Sequence, residues 1–111
     1  AAANDTVEVK VRGVTKVVEL RQIDWIEAQG NYLALHVGSS TYLLRDTLAN
    51  FQTRLDAARF VRIHRRTIVA VERIAGIELA ANGDGVVRLK DGQALRASRQ
   101  DRRQLAIRKP V

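Results

Sequence analysis

The chain opens with short runs in which apolar and polar residues alternate. Residues 7–11, VEVKV, carry valine at every second position, which is the period of a β-strand with one face in water. A second run, KVVEL at 16–20, follows soon after Gly13. The spacing predicts that the domain begins with a hairpin.

The next segment, IDWIEAQGNYLALHV, divides at Gly30. After this break leucine or valine occupies every second position, which again indicates a strand. The residues GSS then turn the chain into a further strand, TYLLR. Asn31 and Tyr32 therefore lie where one strand pattern gives way to the next.

Residues 46–58 have a different period. Leu48, Phe51 and Leu55 recur at spacings of three and four, as on the apolar face of an amphipathic helix. Asp46 precedes them in the N-cap position, where a carboxylate can accept a free backbone N–H. We predict a helix from Asp46 to about residue 58.

The last strand pair, VVRLKDGQALRAS, allows a test of register. A two-residue loop would set Val87 opposite Arg96, a charge facing an apolar residue. A three-residue loop, residues 90–92, sets Val87 opposite Leu95 and lets Gly92 adopt the left-handed conformation of a bulge. We therefore predict the three-residue loop.

These patterns predict a mostly β fold: eight to ten short strands in small antiparallel sheets joined by hairpins, with one or two short helices. The second helix would follow Ser98, whose spacing to Asp101 resembles a capping box. A chain of 111 residues fits one domain. We place that domain at residues 7–107, after a flexible tail or linker remnant at 1–6 and before a tail at 108–111.

The basic residues make this domain suited to a polyanionic partner. Nineteen Lys plus Arg against twelve Asp plus Glu give a formal net charge of +7, and most of the basic residues are Arg. The Arg fork matches phosphate and guanine edges, and each neutralised phosphate releases condensed counterions. The basic residues cluster in HRR at 64–66 and RASRQDRR at 96–103, both where strands end. The plainer alternative is that each cluster is a solvated strand end.

The stretch FVRIHRRTIVAVERI, residues 60–74, places this charge between apolar residues. A buried strand should avoid charge, so this stretch is either a strand with one face in water or a place where the strands stop and a basic loop faces a partner. Because the strand pattern gives way to a turn at HRR, we predict that the strand stops at the basic residues. Phe60, Ile63 and Ile68 then belong to the core, and residues 64–66 form an exposed edge.

Other classes of function find little support. The chain has no cysteine, which excludes disulfides and thiolate zinc sites, and no apolar run approaches the roughly 18 residues of a membrane span. The first residues lack the pattern of a signal peptide and a start Met. We therefore expect a cytoplasmic domain, without membrane contact, that belongs to a longer protein.

Catalysis is also disfavoured. His36 and His64 are far apart in sequence and have no metal-motif spacing, and neither a Cys nucleophile nor a Gly-rich phosphate loop is present. We predict no catalytic residues, no metal ligands and no cofactor. The charge pattern favours a nucleic acid as the partner. The alternative to DNA is RNA or an acidic protein, although only Tyr32 and Tyr42 are available to stack on RNA bases.

Three segments together resemble the LytTR-type DNA-binding domains of bacterial transcription regulators. FVRIHRRTIVAVERI is similar to their central signature: a Phe, an Arg two residues on, His-Arg, and an apolar strand. WIEAQGNYLALHV resembles their earlier strand, loop and strand, and LKDGQALRASRQDRRQL resembles their closing hairpin with a Ser-Arg pair. The resemblance covers residues 7–107.

The resemblance implies sequence-specific double-stranded DNA binding for transcriptional control, as the output domain of a response regulator in a two-component system. It implies an upstream receiver or other sensory domain in the full-length chain. It also implies loops that enter successive major grooves, direct-repeat sites and a possible homodimer on DNA.

The family's contact regions fall on Asn31 and Tyr32, on His64 and Arg65, and on Ser98, Arg99 and Gln100. With the charge pattern, this gives the predicted DNA-binding residues Asn31, Tyr32, Arg62, His64, Arg65, Arg66, Arg96, Ser98, Arg99, Gln100, Arg102 and Arg103. Arg65 and Arg99 are predicted to contact base edges or nearby phosphates, and Asn31 to hydrogen-bond a base or phosphate. We predict that His64 orients its loop or contacts phosphate, and that the remaining Arg residues act mainly by charge.

Two positions depart from the family pattern. Arg66 stands where family members often have Ser or Asn, and Ala70 stands where they often have Asn. Because Arg66 adds a charge beside the predicted contact, the target sequence of other members does not carry over to this chain.

Overall fold

The computed structural model describes residues 6–79 and 85–98. These residues form ten strands, one α-helix and two 3₁₀ turns. The predicted fold class, mostly β in small antiparallel sheets, is confirmed. The chain divides into two compact units, residues 1–56 (unit 1) and residues 57–111 (unit 2).

Unit 1 begins with the predicted hairpin. Strands β1 (Thr6–Val11) and β2 (Val14–Glu19) pair antiparallel up to Val11 opposite Val14. The two turn residues between them, Arg12 and Gly13, have φ of 53° and 81°. A two-residue turn of type I′ requires positive φ at both positions, which matches the right-handed twist of the strands.

After a 3₁₀ turn at Leu20–Gln22, unit 1 continues with an antiparallel meander. Its strands are β3 (Trp25–Gln29), β4 (Tyr32–Val37) and β5 (Ser40–Arg45). Two-residue turns join them, each with a glycine at positive φ in the first position: Gly30 at 60° and Gly38 at 58°. Glycine takes this conformation without the steric cost of a Cβ.

The helix is shorter than predicted, and its N-cap lies one residue later. Helix α1 spans Leu48–Gln52, and its N-cap is Thr47, whose hydroxyl accepts from the N–H of Asn50 at 3.1 Å. The Asp46 carboxylate, predicted to be the cap, instead accepts from the N–H of Thr47 at 2.7 Å.

The apolar stripe of this segment is nonetheless buried as expected for Leu48, Phe51 and Leu55. After Gln52 the chain continues in tighter turns, since the N–H of Leu55 donates to the carbonyl of Gln52 at 3.1 Å, three residues back. Both kinds of turn keep positions three apart on one side, so the spacing did not reveal where the α-helix ends.

Unit 2 begins with the hairpin of β6 (Phe60–His64) and β7 (Thr67–Ala70), closed by a two-residue turn. The strand stops at the basic residues, as predicted. Phe60, Ile63 and Ile68 are buried, which confirms them as core.

A 3₁₀ turn at Val71–Arg73 leads to a second antiparallel group in unit 2. Its strands are β8 (Ile74–Leu79), β9 (Gly85–Leu89) and β10 (Ala94–Ala97). Val87 lies opposite Leu95, and Gly92 has a φ of 95°. The predicted three-residue loop is confirmed. The short helix predicted after Ser98 lies outside the described residues.

Candidate nucleic-acid interface

Residues 64–66, named the HRR turn, comprise the last residue of β6 and the two turn residues that join it to β7. Arg65 and Arg66 are exposed and His64 is half-buried. The Nδ1 atom of His64 accepts a hydrogen bond from the backbone N–H of Arg66 at 3.2 Å. His64 thus holds the backbone of its own turn.

Arg62 supports the HRR turn from the other side. Its Nε donates to the carbonyl of His64 at 3.3 Å, and its Nη2 donates to the carbonyl of Arg65. Arg62 was predicted to act mainly by charge toward DNA. The geometry shows that its guanidinium also fixes the backbone that presents Arg65.

A β-bulge precedes the HRR turn. The pairing shifts between Arg62, opposite Ile68, and His64, opposite Thr67, so β6 has one residue more than β7 over this interval. The extra residue, Ile63, keeps its side chain in the core. Bulges locally disrupt the strand ladder and re-aim neighbouring side chains.

The carbonyl of Ile63 is bonded by a residue from the second basic cluster. The N–H of Ser98, just after β10, donates to this oxygen at 2.8 Å. The start of RASRQDRR is therefore held against the strand that ends in the HRR turn. Ser98 is half-buried, and Arg96 is exposed on β10.

Three acids of unit 2 have contacts with residues outside the HRR turn. Glu72 pairs with Arg59 at 3.6 Å, Glu78 pairs with Arg88, and the Asp91 carboxylate accepts from the N–H of Gln93 at 3.0 Å. The hydrogen bond that Arg88 donates to Glu78, together with the negative charge of that carboxylate, raises the pKa of Arg88 above its usual value. Each of these acids thus has a local contact of its own.

Arg65 differs from its neighbours in having an unengaged side chain. Across residues 6–79 and 85–98, no hydrogen bond or ion pair involves its guanidinium. An exposed Arg fork on a braced two-residue turn can meet a phosphate or a base edge without first breaking an internal contact.

In unit 1, residues 30–32 form the Asn31 turn. Asn31 is exposed, and within the described part of the chain its side chain has no hydrogen-bond partner. Tyr32, predicted to lie at the break between two strand patterns, is the first residue of β4, with 46% of its surface exposed. The turn thus presents an amide and a phenol to solvent.

Sequence reasoning missed one cation beside this turn. Tyr32 pairs directly with Gln29 on β3 and with Arg45 on β5, and Arg45 is exposed. The signal was present, because a two-residue turn at positions 38 and 39 fixes this register. Residues 38–40 were instead interpreted as one undivided turn.

The two histidines belong to different units. His36 lies on β4, where its ring stacks on Trp25 with centroids 3.8 Å apart and planes at 6°. Its Nδ1 lies 3.2 Å from the hydroxyl of Thr41. These contacts indicate a structural role for His36 within the strands β3, β4 and β5.

The structure therefore brings together part of the predicted site. It joins the HRR turn with Ser98 in unit 2, and it gives Asn31 and Tyr32 a turn of their own in unit 1. Four predicted residues lie outside the described ones: Arg99, Gln100, Arg102 and Arg103.

Among the described residues, no three His, Asp or Glu side chains group as metal ligands. In the same ranges, no helix has the length and apolar character needed to cross a membrane.

Comparisons with known proteins agree with this geometry. The family model described as LytTr DNA-binding domain matches residues 13–108. One solved structure, described as the LytTr DNA-binding domain of a methyl-accepting/DNA response regulator from Bacillus cereus, has the same fold, with a TM-score of 0.85. It is 19% identical in sequence, and the match covers 96% of this chain and 98% of that chain.

A search among curated proteins gave no match. The family model spans most of the chain, including the Asn31 turn, the HRR turn and the hairpin that ends at Ser98. The chain belongs to the LytTr DNA-binding domain family.

Proposed function

We propose that this domain binds double-stranded DNA sequence-specifically to regulate transcription, without catalysing a reaction. The observation that carries the proposal is the HRR turn, where His64 and Arg62 hold the backbone while Arg65 remains exposed and unengaged within the described residues. Loops fixed by a rigid scaffold are common binding elements, because little ordering entropy is lost when they enter a groove.

The side chains at this turn suit different parts of a duplex. Arg65 can bind a guanine edge through two hydrogen bonds, as Arg commonly does in the major groove. Arg66 and Arg96 add positive charge near Ser98, where phosphate contacts would fix the position of the domain. Because Nδ1 of His64 accepts a hydrogen bond from the N–H of Arg66, Nε2 is the ring nitrogen that remains to contact a phosphate.

The Asn31 turn is proposed as a further contact region. An Asn amide can donate and accept at once, which allows bidentate binding to adenine or a single bond to phosphate. Beyond Ser98, Arg99 is proposed as a second base-reading residue, with Gln100 beside it. Arg102 and Arg103 are proposed to contribute mainly charge.

The biological setting is also proposed. The domain would be the output domain of a larger cytoplasmic bacterial regulator, with a receiver or other sensory domain upstream. Two copies would bind direct repeats through successive major grooves, with homodimer contacts formed on DNA. The likeness to a response-regulator domain supports this setting.

An RNA-binding function has less support from the aromatic residues. Trp25, Phe51 and Phe60 are buried. Tyr42 is half-buried, and the Lys16 ammonium lies 5.1 Å from its ring centroid. Of the five aromatic residues, all within the described ranges, Tyr32 alone is exposed, whereas proteins that read single-stranded RNA commonly stack several bases.

Selection of bound duplexes from random-sequence DNA tests the proposal. The expected result is enrichment of a motif that occurs as a direct repeat. Recovery of sequences indistinguishable from the starting pool would contradict sequence-specific binding. A selected duplex also supplies the probe for the substitutions described below.

A further inference from the structure

Arg45 and Tyr32 are directly opposite each other on neighbouring strands of unit 1. Their pairing ends the β4–β5 ladder beside the Asn31 turn. Directly opposed residues in an antiparallel pair place their Cβ atoms about 5 Å apart on the same face. The guanidinium of Arg45 and the phenol of Tyr32 are therefore within reach of one shared ligand, and both residues are exposed.

The acids near this pair are engaged by other groups. Asp46, the next residue, accepts from the N–H of Thr47 at 2.7 Å and from the side-chain amide of Asn50 at 2.9 Å. Glu27 accepts from the amide of Gln29 at 3.1 Å.

Within the described residues, no hydrogen bond or ion pair involves the Arg45 guanidinium. A cation without a local acid, beside an exposed phenol and an exposed amide, is suited to an anion from outside the chain.

We propose that Arg45 and Tyr32 form a phosphodiester-binding site of unit 1 beside Asn31, with Arg45 as its cationic residue. This rests on the proposed function, since the phosphodiester is that of the bound duplex. The Arg fork can donate two parallel hydrogen bonds to phosphate oxygens, and the phenol hydroxyl can donate a third.

The position of Arg45 favours phosphate over a base edge. Asn31 is at the tip of its turn. Arg45 is on the adjacent strand β5, opposite Tyr32, which is the first residue after the tip. Contacts with the DNA backbone border the groove and fix the register, while the element that enters the groove reads bases. Arg45 would therefore position the Asn31 turn without setting the sequence that it prefers.

A matched pair of substitutions isolates this contact. Arg45→Gln and Arg21→Gln each remove one positive charge from an exposed residue of unit 1. Arg21 precedes β3, at the end of that strand remote from Gly30. Because β3 spans about 13 Å and charges are screened beyond about 8 Å at physiological salt, Arg21 reports the general effect of lost charge.

The affinity of the full 111-residue chain for one selected duplex and one random duplex is measured over a salt series. We expect Arg45→Gln to weaken binding to both duplexes roughly five- to tenfold more than Arg21→Gln does. The slope of log affinity against log salt should fall by about 1, and the ratio between the duplexes should stay constant. Arg45→Lys should retain the slope, because it keeps the charge.

A scan with single neutral methylphosphonates identifies the phosphate. At one position the modification should weaken DNA binding by the unsubstituted chain. It should leave DNA binding by Arg45→Gln unaffected, because that variant has already lost the contact. Thermal unfolding of each variant, with an unchanged midpoint, shows that the effect is on binding.

Equal behaviour of Arg45→Gln and Arg21→Gln, with no such position in the scan, overturns the proposed site. If Arg45→Gln fails to fold, the Arg45→Lys variant provides the test. A slope of log affinity against log salt that falls by about 1 in a folded Arg45→Lys variant would overturn the proposed site. Failure of the proposed function would differ: the unsubstituted chain would then not distinguish the selected duplex from the random one.

Discussion

The backbone N–H of Ser98 donates to the carbonyl of Ile63 at 2.8 Å, across 35 residues of sequence. Ile63 is the extra residue of the β6 bulge, and Ser98 directly follows β10. This bond links the beginning of the second basic cluster to the strand that carries the HRR turn. It gives Ser98 a fixed position next to the strand that leads into the HRR turn.

Replacement of Ser98 by Pro removes the N–H donor. We expect a loss of about 1–3 kcal/mol in the free energy of unfolding, because the carbonyl of Ile63 loses its partner. Affinity for the selected duplex should fall as well. Ser98→Ala keeps the donor and serves as the control in denaturant unfolding. Equal stability of the two variants would show that the bond contributes nothing.

Arg62 and Arg65 lie three residues apart and should differ in their effect on stability. Arg62→Gln removes the contacts with the carbonyls of His64 and Arg65, so we expect a loss of about 1 kcal/mol and faster amide exchange at Arg66. Arg65→Gln should change stability by less than about 0.5 kcal/mol. Amide hydrogen exchange in the DNA-free protein compares the two variants. An unchanged exchange rate at Arg66 in Arg62→Gln would refute the bracing role of Arg62.

Arg65 should instead matter for recognition. Arg65→Ala is expected to cost about 1–3 kcal/mol in binding and to relax the preference at one base pair, if it reads a base edge. Binding to a set of duplexes, each with one base pair changed, measures this. An equal loss on every duplex would assign Arg65 to phosphate.

Gly92 tests the three-residue loop. Its φ of 95° is one that a residue with a Cβ rarely adopts, and a Cβ there would meet no atom within 4 Å. Gly92→Ala should therefore lower the free energy of unfolding by about 1–2 kcal/mol through backbone strain alone. Gly76→Ala, also in open space, should be close to neutral. Similar denaturation midpoints for the two variants would contradict the loop conformation.

The features predicted well from sequence were those set by local chemistry. The alternation of Val7 and Val9 gave the first strand, and facing residues such as Val87 and Leu95 gave the register of the last hairpin. In both cases a burial pattern of period two leaves one acceptable arrangement. The end of α1 was missed because 3₁₀ turns bury the same apolar stripe.

The site was predicted only in part because its geometry depends on long-range pairing. Charge placed Arg65 and Ser98 in separate clusters, but no local signal indicated that Ser98 bonds to Ile63. Likewise, Arg45 looked like the last residue of an ordinary strand until its pairing set it opposite Tyr32.

The central claim is that this domain recognises a DNA sequence and not merely a charged surface. Competition between a selected duplex and excess random duplex, over a range of salt concentrations, tests it most directly. We expect the selected site to be favoured by about 10³ or more at physiological salt, while both affinities fall as salt rises. Displacement of the selected site by random duplex with equal affinity at every salt concentration would contradict the claim.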